Sequence, residues 1–219
     1  MTLDVYVASS LSEAFDQLES DYENENPNVD IRLNIAGSST LLRQIEAGAS
    51  VDVFAPADVS IFTELTNPPT GQIEPVATNT LVLVVPTKSE NTVIDSVDDL
   101  EGEGVVVARC TAGVPCGTAT DEFLEATDIT LGNTSEHLNV AQVTEQVAAS
   151  EADAGFAYET DAVRKRAQIR AIPLESPPMV QPGVATFGNR VEVTRFVQYV
   201  TSEDGQETFA DLGFGPPAG

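Results

Sequence analysis

Basic residues are scarce in this chain. Ten Lys and Arg stand against 35 Asp and Glu in 219 residues, a formal charge of -25. Such acidity repels phosphodiester backbones and anionic headgroups, so non-specific attraction to nucleic acid or to an acidic membrane surface is excluded. Histidine is represented only by His137. No GxSxG elbow, P-loop or HExxH pattern occurs, which removes the usual hydrolase, nucleotide-binding and zinc-protease signatures. The two cysteines, Cys110 and Cys116, have no histidine partners in sequence and make a poor metal site. Long apolar runs are also missing. Leu81 to Val85 (LVLVV) is far short of the roughly 20 residues of a membrane helix and suits a buried strand.

What is present is a core. Hydrophobic residues make up 42% of the chain and recur in regular patterns, so the acidity does not signal disorder. We expect instead the surface of a halophilic protein, adapted to very high salt. Self-repulsion there is screened over a Debye length of roughly 3 Å at 1 M. The chain opens on a strand-like alternation without a signal-peptide n-region or h-region. That leaves two expectations, a cytoplasmic protein or a mature extracytoplasmic form with an added start methionine. Cys110 and Cys116 flank a Gly and Pro turn (RCTAGVPCG), a spacing that permits a disulfide, with free thiols as the alternative. A disulfide favours the extracytoplasmic location. Asn133-Thr134-Ser135 is a glycosylation sequon.

Strand signals alternate with helix signals. Leu3 to Val7 and Ile31 to Ile35 alternate apolar and polar residues, and Leu81 to Val85 and Val105 to Ala108 are continuous apolar runs. Helical spacings follow at Phe15, Leu18 and Tyr22, at Leu41, Leu42 and Ile45, and at Val140, Val143 and Val147. The order predicts an α/β fold built of βαβ units, with a mainly parallel sheet and helices on both faces. Pro-rich connections at Thr66 to Val76 and Pro173 to Gly183 punctuate the chain. They predict a first lobe over residues 1–79 with 181–219, a second over 80–180, and a ligand cleft between them.

Loops leaving the carboxyl ends of parallel strands run into helix N-termini, where unpaired N–H groups and the helix dipole favour an anion. Junctions of small or polar residues occur at Ala8 to Ser12, Gly37 to Thr40, Val114 to Gly117 and His137 to Val140. Ordinary N-capping explains any one of them. Together they predict an anion held from both lobes, with Ser38 reaching the ligand and Ser39 serving the cap. Arg43 is expected to face solvent or pair with Glu46, and His137 to be a solvated loop residue.

The chain resembles the periplasmic molybdate-binding proteins of ABC transporters. The likeness lies in VASSLSEAFDQL (7–18), NIAGSSTLLRQIEAGASVDVFAPAD (34–58), NTLVLVVP (79–86), VPCGTA (114–119), EADAGFAYETDA (151–162) and the closing GFGP (213–216). The resemblance implies a two-lobed, type II periplasmic-binding-protein fold that closes on tetrahedral molybdate or tungstate without a counter-cation or cofactor. It implies hydroxyl donors at Ser10, Ser38 and Tyr158 and main-chain N–H donors at Cys116 and Val140. It further implies an extracytoplasmic receptor, periplasmic or lipid-anchored, that is monomeric and delivers its ligand to a membrane permease. No catalytic residues follow from it. The alternatives are a receptor for sulfate, phosphate or a small organic acid, and, further off, a hydrolase. An organic carboxylate would call for an arginine fork, so a cleft-facing Arg43 or Arg109 would favour that reading.

Overall fold

The computed structural model describes residues 1–88, 94–102 and 104–217. The chain forms two compact units, Met1–Thr78 with Gln181–Gly219, and Asn79–Val180.

The first unit is a five-stranded sheet with the order β2-β1-β3-β11-β4. Its elements are β1 (Thr2–Ala8), α1 (Ser12–Glu25), β2 (Asp30–Ala36), α2 (Ser38–Glu46), β3 (Val53–Ala55) and β4 (Glu74–Pro75). Strand period sorts its side chains by face. Leu3, Val5 and Val7 of β1 pack with Phe15 and Leu18 of α1, and Tyr6 turns to the opposite face with Leu41 and Leu42 of α2. Each face therefore gains its own apolar cover.

The second unit is a six-stranded sheet ordered β10-β5-β8-β6-β7, with β9 also paired to β5. It runs through β5 (Asn79–Pro86), β6 (Val106–Cys110), α3 (Pro115–Thr127), β7 (Asn133–His137), α4 (Val140–Ala148), β8 (Ala154–Tyr158), α5 (Glu159–Arg164), β9 (Ile169–Ile172) and β10 (Met179–Val180). The chain then returns to the first unit as β11 (Gly183–Thr186), α6 (Val191–Val200) and α7 (Glu203–Asp211).

Two features depart from the expectation. The sheets are mixed. β1 is parallel to β2 and β3, and β6 to β7 and β8, but β11 runs antiparallel to β3, and β5 antiparallel to β8, β9 and β10. The reversed pairs involve the strand on which the chain enters the second unit and the strand on which it returns to the first. The second departure is β7, an edge strand of the sequence NTSEH. It pairs with β6 alone, is largely exposed, and lacks the apolar alternation that marks a half-buried strand. His137 is its last residue and half-buried, its ring 3.2 Å from the Ser135 hydroxyl, rather than a solvated loop residue. No helix among the described residues is long and apolar enough to cross a membrane.

Candidate functional site

In the first unit, strand register sets the site. Ala8 at the end of β1 is level with Ala36 at the end of β2, and Val7 is level with Ala55 in β3. The chains leaving these strands therefore emerge together at one edge. Ser10 lies two residues beyond Ala8, in a short 3-10 turn that leads into α1, and is 6% exposed. Ser38 lies two residues beyond Ala36, opens α2, and is 4% exposed.

Helix α2 starts without a side-chain cap, its N-cap position being Gly37. Ser39 is thus inside the helix and not its cap, contrary to the sequence reading. The Ser38 hydroxyl is used elsewhere. Its Oγ accepts the Ala57 N–H at 3.0 Å, from the loop just beyond β3. A hydroxyl carries one proton, so an Oγ fixed by an incoming N–H keeps that proton for donation. Ala57 was missed in the sequence because a main-chain partner 19 residues away leaves no side-chain signature.

In the second unit the three parallel strands also end at one edge, and each feeds a helix. Cys110 is level with His137, and Ala108 with Gly155, so the ends of β6, β7 and β8 align. Helix α3 opens on Pro115 and Cys116, α4 on Val140, and α5 directly after Tyr158. Asn139 caps α4 by accepting the Gln142 N–H at 3.1 Å. Val140, Cys116 and Tyr158 are all buried. Cys110 and Cys116 are joined in a disulfide. The structure thus groups Ser10 with Ser38 in one unit, and Cys116, Val140 and Tyr158 in the other.

Beneath Tyr158 lies a carboxyl that sequence reading did not single out. Asp161 is 1% exposed and accepts the Tyr158 N–H at 3.2 Å. Burial pushes its pKa from the ordinary 3.8 up to about 6, although Arg164, the Tyr158 N–H and Lys165 pull it down. An acid three residues after the helix boundary is the signal that would have found it. Beside it, Thr160 Oγ accepts a hydrogen bond from Asn79 Nδ2 at 2.9 Å.

Arg109 and Arg43 are engaged elsewhere. Arg109 of β6 pairs with Asp121 of α3, and exposed Arg43 donates to the Thr40 hydroxyl at 3.0 Å rather than pairing with Glu46. The Glu46 carboxylate accepts the Thr66 N–H. A cavity of about 620 Å³ beside α1, α6 and α7 is lined by Glu13, Asp21, Glu25, Asp204, Glu207 and Asp211. Its carboxylates repel a dianion, so it does not serve as the anion site. Among the described residues no group of three or more His, Cys, Asp or Glu could hold a metal ion. What both units offer at their strand ends is neutral donors, hydroxyls and main-chain N–H groups, which solvate an oxyanion without bringing a counter-charge.

Residues 3–215 match the model of a family described as bacterial extracellular solute-binding protein. The chain belongs to that family. This solute-binding protein is 33% identical over 220 residues to the molybdate-binding protein ModA of Mycobacterium tuberculosis, covering 97% of this chain and 84% of the relative. Among solved structures, the periplasmic molybdate-binding protein of Azotobacter vinelandii is similar with a TM-score of 0.77 at 18% identity, over 99% of this chain and 100% of that one. The sulfate-binding protein SubI of Mycobacterium tuberculosis reaches a TM-score of 0.76 at 12% identity, over 99% of this chain and 87% of that one. These structural likenesses establish the architecture, α/β with two sheets flanked by helices, the fold of type II periplasmic binding proteins.

Proposed function

We propose that this solute-binding protein captures molybdate and hands it to the permease of an ABC transporter. The observation that carries the ligand class is the Ser38 hydroxyl, buried at a helix start and held by the Ala57 N–H so that it donates. The identity to ModA proteins over nearly the whole chain supports molybdate within that class.

In this reading one dianion draws hydroxyl donors from Ser10, Ser38 and Tyr158 and main-chain donors from Cys116 and Val140. Each hydrogen bond to a charged acceptor contributes about 1.5–3 kcal/mol, and a set of them offsets the loss of the ion's hydration. Donor-only surroundings also reject a protonated ligand. Hydrogen phosphate would turn its O–H against an N–H and leave both unpaired. Tungstate, of the same charge and nearly the same size, binds as well. The protein acts by binding and release, as an extracytoplasmic monomer, and performs no chemistry on its ligand.

Sulfate is the second reading, favoured by the likeness of the fold to a sulfate-binding protein. The organic-acid reading loses its support because Arg109 is paired with Asp121 and Arg43 is exposed and bonded to Thr40. A thermal-shift panel of molybdate, tungstate, sulfate, phosphate and citrate in high-salt buffer tests these readings. Ligand at about 100 times its Kd adds about 2.7 kcal/mol of stability. Shifts with molybdate and tungstate alone are expected. A shift with sulfate only would transfer the proposal to the second reading.

A further inference from the structure

We propose that the Cys110–Cys116 disulfide is a positioning element for ligand capture, holding the first amide of α3 where the oxyanion needs it. The inference rests on the reading of Cys116 as an N–H donor and adds to it the cause of that donor's placement.

The backbone at the start of α3 singles out one amide. Pro115, the first helical residue, has no N–H. The Gly117 and Thr118 N–H groups both bond to the Val114 carbonyl, at 2.8 and 2.9 Å. The Cys116 N–H falls between Pro115 and Gly117, at a position where a helix supplies no acceptor. It is therefore the first-turn amide of α3 left to meet an anion, and it belongs to a cysteine of the bridge.

The loop before it turns on the Val114 N–H, which bonds to the Thr111 carbonyl at 3.4 Å. Val114, the N-cap residue, provides no side-chain cap, and Ala112 and Gly113 are exposed. The bridge ties Cys116 to Cys110, six residues back and fully buried at the end of β6. That strand end is itself fixed, because the neighbouring Thr111 N–H bonds to the His137 carbonyl of β7 at 2.8 Å. Gly117 completes the contact. A Cβ there would lie 2.0 Å from the Thr111 carbonyl oxygen, so the helix start sits directly on the backbone that leaves β6. The Arg109–Asp121 pair and the burial of Ala119 and Phe123 hold the body of α3 to the sheet, and the bridge is the covalent tie at the Cys116 amide itself. A donor free to wander loses part of its hydrogen bond on the bound state, and the loss is expressed in ligand release.

A dithiol breaks the S–S bond by thiolate attack and a second exchange. It leaves two protein thiols and the oxidised, cyclic disulfide of the reagent. The test measures molybdate Kd and release rate, at a temperature where unfolding curves show every form folded, for three forms. These are the oxidised protein, the protein kept reduced by dithiothreitol, and the Cys110→Ala/Cys116→Ala variant. The expected result is a Kd raised about tenfold in both bridge-free forms, mainly through faster release, with far-UV circular dichroism unchanged. A bridge that only stabilises the fold would lower the melting temperature and leave Kd unmoved, and that outcome overturns the inference alone.

A second measurement needs no variant. On molybdate addition to the intact oxidised protein, the Cys116 amide should show the largest chemical-shift change of α3. An unmoved Cys116 amide overturns the inference even if the bridge-free forms bind poorly. Oxidised protein that binds no molybdate overturns the proposed function, and this inference with it.

Discussion

Ser38 and Ala57 meet through a single hydrogen bond, with the Ala57 N–H donating to the Ser38 Oγ at 3.0 Å. The bond joins the first residue of α2 to the loop beyond β3, and both partners are buried. In the proposed site it gives one hydroxyl two tasks, the lone pair for the fold and the proton for the ligand.

Ser38→Ala should therefore have two separable effects. Molybdate affinity falls by about 1–3 kcal/mol through the lost donor, and apo stability by about 1–2 kcal/mol through the unsatisfied Ala57 amide. Calorimetric titration and urea unfolding of the same preparation measure the two. Unchanged affinity with reduced stability would confine Ser38 to the fold.

Tyr158→Phe keeps the buried ring and removes only the hydroxyl. Affinity for molybdate is expected to drop by about 1–3 kcal/mol. Retention of wild-type affinity, measured by titration, would remove the tyrosine from the ligand set.

Asp161 predicts a pH dependence of definite sign. Its pKa is about 6 in the folded chain against an ordinary 3.8. Between those values the folded state keeps a proton that the unfolded state releases, so this group's contribution to stability declines as pH rises through the window. Above it the penalty is constant, on the order of 3 kcal/mol. Asp161→Asn removes the charge and keeps an acceptor for the Tyr158 N–H. The stability difference between variant and wild type should grow in the variant's favour from about pH 4 to about pH 6 and then level off. Denaturant unfolding across that range checks it, and a flat difference would count against the buried, raised carboxyl.

The charge of -25 predicts a salt effect on capture. A dianion approaching this chain is repelled in dilute buffer, and the repulsion is screened as the Debye length falls from about 10 Å at 0.1 M to about 3 Å at 1 M. Stopped-flow on-rates should rise with salt over that range, with off-rates changing less because release is governed by short hydrogen bonds. On-rates that fall with salt would contradict the argument.

Local features were legible in the chain without coordinates. The alternation of Leu3, Val5 and Val7 is a strand in which those side chains share one face, because strand period is fixed by the backbone. The spacing of Phe15, Leu18 and Tyr22 is a helix with those residues buried. Strand β7 escaped notice for the complementary reason. An edge strand open to water needs no apolar alternation, and its pairing with β6 is a property of the partner and not of NTSEH.

By itself, then, the sequence determined the α/β alternation, the net charge of -25 and the polar residues at helix starts. Each follows from composition or from periods of a few residues. The tertiary structure alone decided which strands reverse, that the Ala57 amide fixes the Ser38 hydroxyl, and that Asp161 is buried beneath Tyr158. These depend on register and burial between segments distant in the chain, where no local propensity acts and only the packed core selects the partner.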